Sequence, residues 1–155
     1  MSFTTANGTR GSRQPGGLLL RVGNSVVMTL LRKGKSGKIF GESPGLVLTT
    51  VGRKSGEERT NPVSWFPGEN GSRLIVASAN GAAKNPAWYY NIASNPDKVR
   101  IEVDGRKVAV RAEQLNGEER AKAWRQIADS SERFAKYQEQ TDRELPVIRL
   151  TERES

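Results

Sequence analysis

VRIEVDGRKVAVRAEQL, residues 99–115, alternates apolar and polar side chains on both sides of Asp104–Gly105. Val99, Ile101 and Val103 share one face, and Val108, Val110 and Ala112 share the matching face beyond the turn. A period of two is that of a half-buried strand. Asp-Gly between two such runs is a strong hairpin signal, because both central residues of the favoured turn need positive φ. The stretch commits the chain to antiparallel pairing.

Working outward, LVLTTVG (46–52) and RTNPVSWF (59–66) read as a second hairpin. PGENGS (67–72) is a turn, and RLIVASA (73–79) is a further strand. LPVIRL (145–150) closes the set, with Pro146 arguing for a strand start or an edge. Helical patterns interrupt these strands. Residues 17–33 gather Arg21, Ser25, Thr29 and Arg32 on one stripe of an otherwise apolar helix. In residues 84–96, Asn85 is read as a cap and Pro86 as the first helical position. In NGEERAKAWRQIAD (116–129), Asn116 caps and Glu119 completes a capping box. SSERFAKYQEQTDR (130–143) continues as helix and presents Phe134 and Tyr137. The expected fold is mainly β (α+β): a six-stranded antiparallel barrel with an N-terminal helix and two to three further helices. Neither GxGxxG nor GxxxxGK[ST] occurs, and strands do not alternate with long helices, which excludes the common nucleotide-binding sheets.

The chain has 155 residues, no cysteine and no histidine. Disulfides, thiol catalysis, the usual zinc sites and imidazole chemistry are thereby excluded, and no metal site is expected. Residues 1–16 carry almost no apolar side chains and are expected to form a disordered basic arm, ahead of one domain over 17–155. No apolar leader or spanning segment is evident, so the expected location is cytoplasmic. The net charge of +8 is uneven: residues 1–41 hold seven Lys/Arg and no Asp or Glu. A nucleic-acid arm, a tether to anionic membrane and a clamp for an acidic small molecule compete as explanations. The arm lacks the interleaved aromatics of a nucleic-acid binder. Peripheral membrane contact through the basic helix stays open.

Two constellations carry chemistry. In TTVGRKSGEERTNP (49–62), Gly52 and Gly56 allow a tight turn with exposed N–H groups. Ser55 and Thr60 hydroxyls, the Asn61 amide and the cations Arg53, Lys54 and Arg59 surround it, which suits a phosphate. In RLIVASANGAAKNPAWYYN (73–91), the strand ends in the small residues Ala77, Ser78, Ala79, Asn80 and Gly81, beside which a flat ligand can lie. Trp88, Tyr89 and Tyr90 follow, and one helix face cannot bury all three. A ligand with an acidic end and a flat ring end fits both. No nucleophile–base pair is present, so an organic cofactor must supply any redox chemistry.

The blocks TTVGRKSGEERTNPVSW, LIVASANGAAKNPAWYYNIASNP and TDRELPVI (141–148) resemble the actinobacterial deazaflavin-dependent nitroreductase family, a branch of the split β-barrel flavin-binding superfamily. The resemblance spans about residues 18–150. It implies a split barrel and coenzyme F-420, an 8-hydroxy-5-deazaflavin with a phosphate and an oligoglutamate tail. The reduced coenzyme would donate hydride to a quinone, an enone or a nitroaromatic. FMN, used by related barrels, is the lesser alternative, and a non-catalytic deazaflavin carrier is the competing role. By the family pattern, Arg53, Lys54, Ser55, Arg59, Thr60, Asn61 and Pro62 hold the phosphate and ribityl region, and Val63 and Ser64 continue that wall. Ala77, Ser78, Ala79 and Asn80 lie beside the ring, and Ala87, Trp88, Tyr89, Tyr90 and Asn91 complete the pocket. Arg21, Arg32 and Lys33 are expected to face the acidic tail. Tyr137 is expected to orient the acceptor or supply a proton, and Ser78 is the second candidate catalytic residue. Family members that reduce nitro compounds well carry a tyrosine-rich acceptor wall. Here the corresponding positions are Ser64, Ser131, Phe134 and Tyr137, so the acceptor half is thinned.

Overall fold

Asp104 (φ 51°) and Gly105 (φ 77°) both take the left-handed conformation. They join β5 (Val99–Val103) to β6 (Arg106–Gln114), which pair from Val103 opposite Arg106 to Val99 opposite Val110. A computed structural model describes residues 3, 5, 7–9, 11 and 44–153, and in it this hairpin is the centre of one sheet. On one side β1 (Gly45–Val51) pairs with β5 and then with β2 (Glu58–Ser64). On the other side β6 pairs with β7 (Val147–Glu152), β7 with β4 (Arg73–Val76), and β4 with β3 (Phe66–Pro67). Every pairing is antiparallel, and the order is β2-β1-β5-β6-β7-β4-β3.

Among the described residues the sheet has seven strands, which corrects the expectation of six. The single strand expected over 59–66 is divided at Trp65, whose N–H leaves the ladder and donates to the Pro44 carbonyl at 3.0 Å. Its two parts are the outermost strands of the sheet, yet one residue separates them. A single residue spans less than 4 Å, so the sheet must curl until its edges nearly meet. Trp65 is the seam of this split barrel. β4 also ends at Val76, short of the expected Ala79, because Ala79 turns left-handed (φ 47°) into a 3-10 turn over Ala79–Gly81.

Three helices follow among the described residues: α1 (Ala87–Ser94), α2 (Gly117–Ser130) and α3 (Glu132–Gln140). The helix expected over 17–33 lies outside the described residues, as do Arg21, Arg32 and Lys33. Asn116 stands at the cap of α2, but its side chain makes no capping bond and donates to the Gln114 carbonyl at 3.3 Å. The capping box is therefore not formed. Pro86, not Asn85, is the cap of α1. The extended backbone of Ser131 separates α2 from α3, and its Oγ accepts the Phe134 N–H at 3.5 Å.

Strand parity sorts the core into two layers. Leu46, Leu48, Ile75, Ile101, Val110 and Ile148 point into the barrel with Tyr89 and Ile92 of α1. Leu74, Val76 and Val147, at alternate positions of β4 and β7, face outward against Ile127 of α2 and Phe134 of α3. Phe134 stacks edge-on against both Phe66 and Tyr137, at 5.4 Å between ring centres in each pair. The second layer thus holds α3, and Tyr137 with it, beside the end of β4.

Candidate active site

The hinge between β1 and β2 is closed by its own backbone. Gly52 N–H donates to the Glu57 carbonyl at 2.7 Å, and Gly56 N–H to the Gly52 carbonyl at 2.9 Å. Glu57 N–H goes to Ser55 Oγ at 3.1 Å. A Cβ at position 52 would come within 2.7 Å of Ser55 Oγ and 3.2 Å of the Glu57 carbonyl oxygen, so a side chain there would displace the serine hydroxyl from the hinge. Arg53 N–H is taken by Asn91 Oδ1 of α1 at 3.1 Å. The glycine amides expected to meet a phosphate are therefore engaged inside the hinge. What the hinge still offers an anion is its side chains, together with the backbone N–H groups of Lys54 and Ser55, which make none of these bonds.

Those side chains converge. Arg53, Lys54, Ser55, Arg59, Thr60 and Asn61 line one cavity of about 610 Å3, closed on the far side by Ala87, Trp88 and Asn91. Glu58 also borders it but pairs with Arg100. Arg59 lies 3.6 Å from Glu57, both well exposed, an ion pair too weakly held to compete with a bound phosphate. Register produces this grouping: Arg59 stands opposite Thr50, and Asn61 opposite Leu48, on a strand whose outer side has no partner strand among the described residues. The Arg53 guanidinium lies 4.6 Å from the centre of the Tyr90 ring, a contact that draws it toward α1.

A second cavity of about 470 Å3 shares Asn61, Ala87 and Trp88 with the first. Pro62, Val63 and Ser64 of β2, Ser78 and Ala79 after β4, and Phe134 and Tyr137 of α3 form its walls. Val76, Ala82, Lys84, Asn85, Pro86 and Arg133 also line it; from the sequence Asn85 and Pro86 are read as a helix start, and the other four are not singled out. Lys84, Asn85 and Pro86 fell inside the quoted 73–91 stretch. Arg133 carried one usable signal, its spacing four residues before Tyr137 on one helix face.

Not every expected residue lines a cavity. Ala77 is fully buried, and Tyr89 is a core residue, 1% exposed, with its hydroxyl donating to Gln114 Oε1 at 2.6 Å. Tyr90 is half-buried and acts through Arg53. Ser131 is fully buried and spent on capping α3, so it adds nothing to the acceptor wall. No side chain is described for Asn80.

The loop 77–85 owes its shape to Arg143. All five guanidinium N–H groups find neutral acceptors: the carbonyls of Ala77 (2.8 Å), Ser78 (2.8 Å) and Ala82 (3.1 and 3.2 Å), and Asn85 Oδ1 (2.7 Å). Burial pushes the Arg143 pKa down, partly offset by Tyr90 and Tyr89. The loop is thereby held in the strained backbone at Ala79 and against α3. Gly81 (φ 79°) lies where a Cβ would meet the Tyr137 carbonyl at 2.9 Å.

The described residues of the N-terminal segment pack on this wall. Thr5 N–H donates to Tyr89 Oη at 3.1 Å, and Asn7 Oδ1 accepts from Asn85 N–H (3.1 Å) and Tyr90 Oη (2.9 Å). Gly8 N–H reaches the Ala83 carbonyl at 2.7 Å.

This donor set fits a long cofactor with an anionic middle and a flat end. Three cations, two hydroxyls and the Asn61 amide stand in one cavity, alongside Glu58 and Asn91, which have partners of their own. The adjoining one offers small residues and an aromatic wall for a ring.

Comparison with known proteins agrees. Residues 21–152 match the family model described as F420H(2)-dependent quinone reductase. A quinone reductase of that name from Mycobacterium tuberculosis is 34% identical over 119 residues, covering 75% of this chain and 78% of the relative. Another from the same species is 37% identical over 110 residues, covering 71% and 91%. A solved F420-H2 dependent reductase (FDR-A) superposes with a TM-score of 0.61 at 36% identity, covering 69% of this chain and 93% of that one. By sequence and by fold, the chain belongs to the F420H(2)-dependent quinone reductase family.

Proposed function

We propose that this protein is a reductase that passes a hydride from reduced coenzyme F-420 to a quinone. The observation that carries the proposal is the shared wall of Ala87, Trp88 and Asn61, which joins a cationic cradle to a cavity lined by Ser78 and Tyr137. Arg53, Lys54 and Arg59 would hold the phosphate, with Ser55, Thr60 and Asn61 as hydrogen-bond partners. Ser78, Ala79 and the first turn of α1 would border the ring.

When bound, the reduced deazaflavin supplies a hydride at its ring carbon. The acceptor gains two electrons and two protons overall, the second proton coming from solvent or from the Tyr137 hydroxyl. The chain's own work is to hold the acceptor against Phe134 and Tyr137 and to keep water from the ring face. Enones fit the same description. Nitroaromatics should be poorer substrates, because Ser64 and Ser131 leave the acceptor wall without the tyrosines that the family resemblance associates with nitro reduction.

The test is oxidation of reduced coenzyme F-420 by menadione, followed by absorbance with purified protein, alongside a fluorescence titration of the oxidised coenzyme. Saturable binding with menadione-dependent oxidation is expected. Binding without oxidation would favour a carrier role, and absence of binding would overturn the proposal.

A further inference from the structure

Two cations, Lys84 and Arg133, line the cavity assigned to the acceptor, and among the described residues its lining includes no carboxylate. Arg133 is half-buried, its Nη2 donates to Ser64 Oγ at 3.0 Å, and its guanidinium carbon lies 5.1 Å from the Phe134 ring centre. Two elements therefore pin this cation: the end of β2 through Ser64 and the first turn of α3 through Phe134. Lys84 reaches the same cavity from the loop that Arg143 holds. Between them stand the apolar side chains of Val63, Val76 and Phe134.

A neutral acceptor would cover these cations with hydrocarbon and return nothing for the water they lose. An anionic substituent would restore that loss, and the low polarity of the surrounding wall would strengthen the attraction. We infer that the preferred acceptor is a quinone bearing an anionic group, such as a ring carboxylate, with Arg133 as its principal partner and Lys84 as a second. This inference rests on the reading of the cavity as the quinone site. It separates the soluble acidic quinones from neutral lipoquinones.

The choice of anion partner over an alternative can be read directly. Were Arg133 and Lys84 placed for the acidic tail of the coenzyme instead, their loss would weaken coenzyme binding and leave quinone preference untouched.

The experiment compares a naphthoquinone carboxylate with its methyl ester as acceptors for the coenzyme-loaded enzyme. The ratio of their kcat/KM values is measured for the parent, Arg133→Ala, Arg133→Gln, Arg133→Lys and Lys84→Ala. Intrinsic reactivity differences between the two quinones cancel when ratios are compared between variants. Loss of one charge-assisted contact should lower the ratio about 10- to 150-fold in Arg133→Ala. Arg133→Gln should fall similarly, Arg133→Lys should keep part of the ratio, and exposed Lys84→Ala should show a smaller fall. Added salt should lower the parent's ratio toward that of Arg133→Ala. Coenzyme titration should give the same dissociation constant for all five proteins. A ratio that is equal in the parent and every variant would overturn the inference, as would a weakened coenzyme titration in Arg133→Ala. If the parent reduces neither quinone, the assignment of quinone reductase fails, a different result from equal reduction of both.

Discussion

The side-chain carbonyl of Asn91 accepts the backbone N–H of Arg53 at 3.1 Å, while its amide donates to Thr50 Oγ1 at 3.3 Å. One buried residue of α1 thus holds both the last residues of β1 and the hinge that presents the cations. Asn91→Asp keeps the acceptor, loses the donor and places a carboxylate beside Arg53 and Lys54. It should weaken coenzyme affinity about 10-fold or more, since even one charge-assisted contact is worth about 1.5–3 kcal/mol. Fluorescence titration checks this, and Asn91→Ala, without the added charge, should lose less affinity than Asn91→Asp.

Arg59 stands on edge strand β2 with its partner Glu57 exposed, and it faces the cradle rather than the acceptor cavity. Arg59→Ala should weaken coenzyme binding about 10- to 150-fold and leave turnover largely intact once coenzyme saturates. Arg59→Lys should recover part of the loss, because an ammonium lacks the planar fork that grips two phosphate oxygens. Titration followed by saturated rates separates the two effects.

Arg143 is 2% exposed and gives five hydrogen bonds to the 77–85 loop. Arg143→Met strips partners from several buried carbonyls and should cost about 3 kcal/mol or more, or a fall in Tm of about 6 °C or more. Arg143→Lys should show a pH signature. The burial that lowers the arginine pKa would hold a lysine below its ordinary value of about 10.4. The folded state then binds fewer protons than the unfolded state, so stability rises with pH. The deficit of Arg143→Lys against the parent should be fully present at low pH. It should shrink as pH climbs through the depressed lysine pKa toward about 10.4. Melting curves across that range check the sign, and a deficit that grows with pH would contradict it.

Tyr137 is fixed by edge-on contact with Phe134 and by the close approach of Gly81 to its backbone. Tyr137→Phe keeps that packing and removes only the hydroxyl. Saturated turnover with menadione should fall about 100-fold or more if the hydroxyl supplies the proton, while coenzyme affinity should hold. An unchanged saturated rate would leave proton supply to solvent.

What could be read in the sequence was local. Asp104–Gly105 announces its hairpin because turn and strands are neighbours in the chain, and the hinge cations are legible because they crowd into one short run. Trp65 as a seam is not legible. Whether one strand continues through it or divides depends on how far the sheet has curled, which no window of residues contains. Arg143 escaped for the same reason: its acceptors lie about sixty residues upstream, and an arginine after Asp142 looks like any surface charge. The glycine amides of the hinge were misread because an N–H freed by a tight turn is as readily satisfied inside that turn as by a ligand. Among Trp88, Tyr89 and Tyr90, the expectation that one helix cannot bury all three holds. The first two are in the core and Tyr90 is half-exposed under Arg53.

The central claim is that the cationic hinge and the Tyr137 cavity serve one reaction. Its most direct measurement is anaerobic mixing of the parent protein and the Arg59→Ala variant with reduced coenzyme F-420 and menadione, at coenzyme concentrations spanning both dissociation constants. The account predicts menadione-dependent coenzyme oxidation by both proteins, with the Arg59→Ala curve displaced about 10-fold or more to higher coenzyme and reaching a similar plateau. Superimposed curves would show that the hinge does not hold the coenzyme, and absence of oxidation by the parent at any concentration would show that the cavity is not a quinone reductase site.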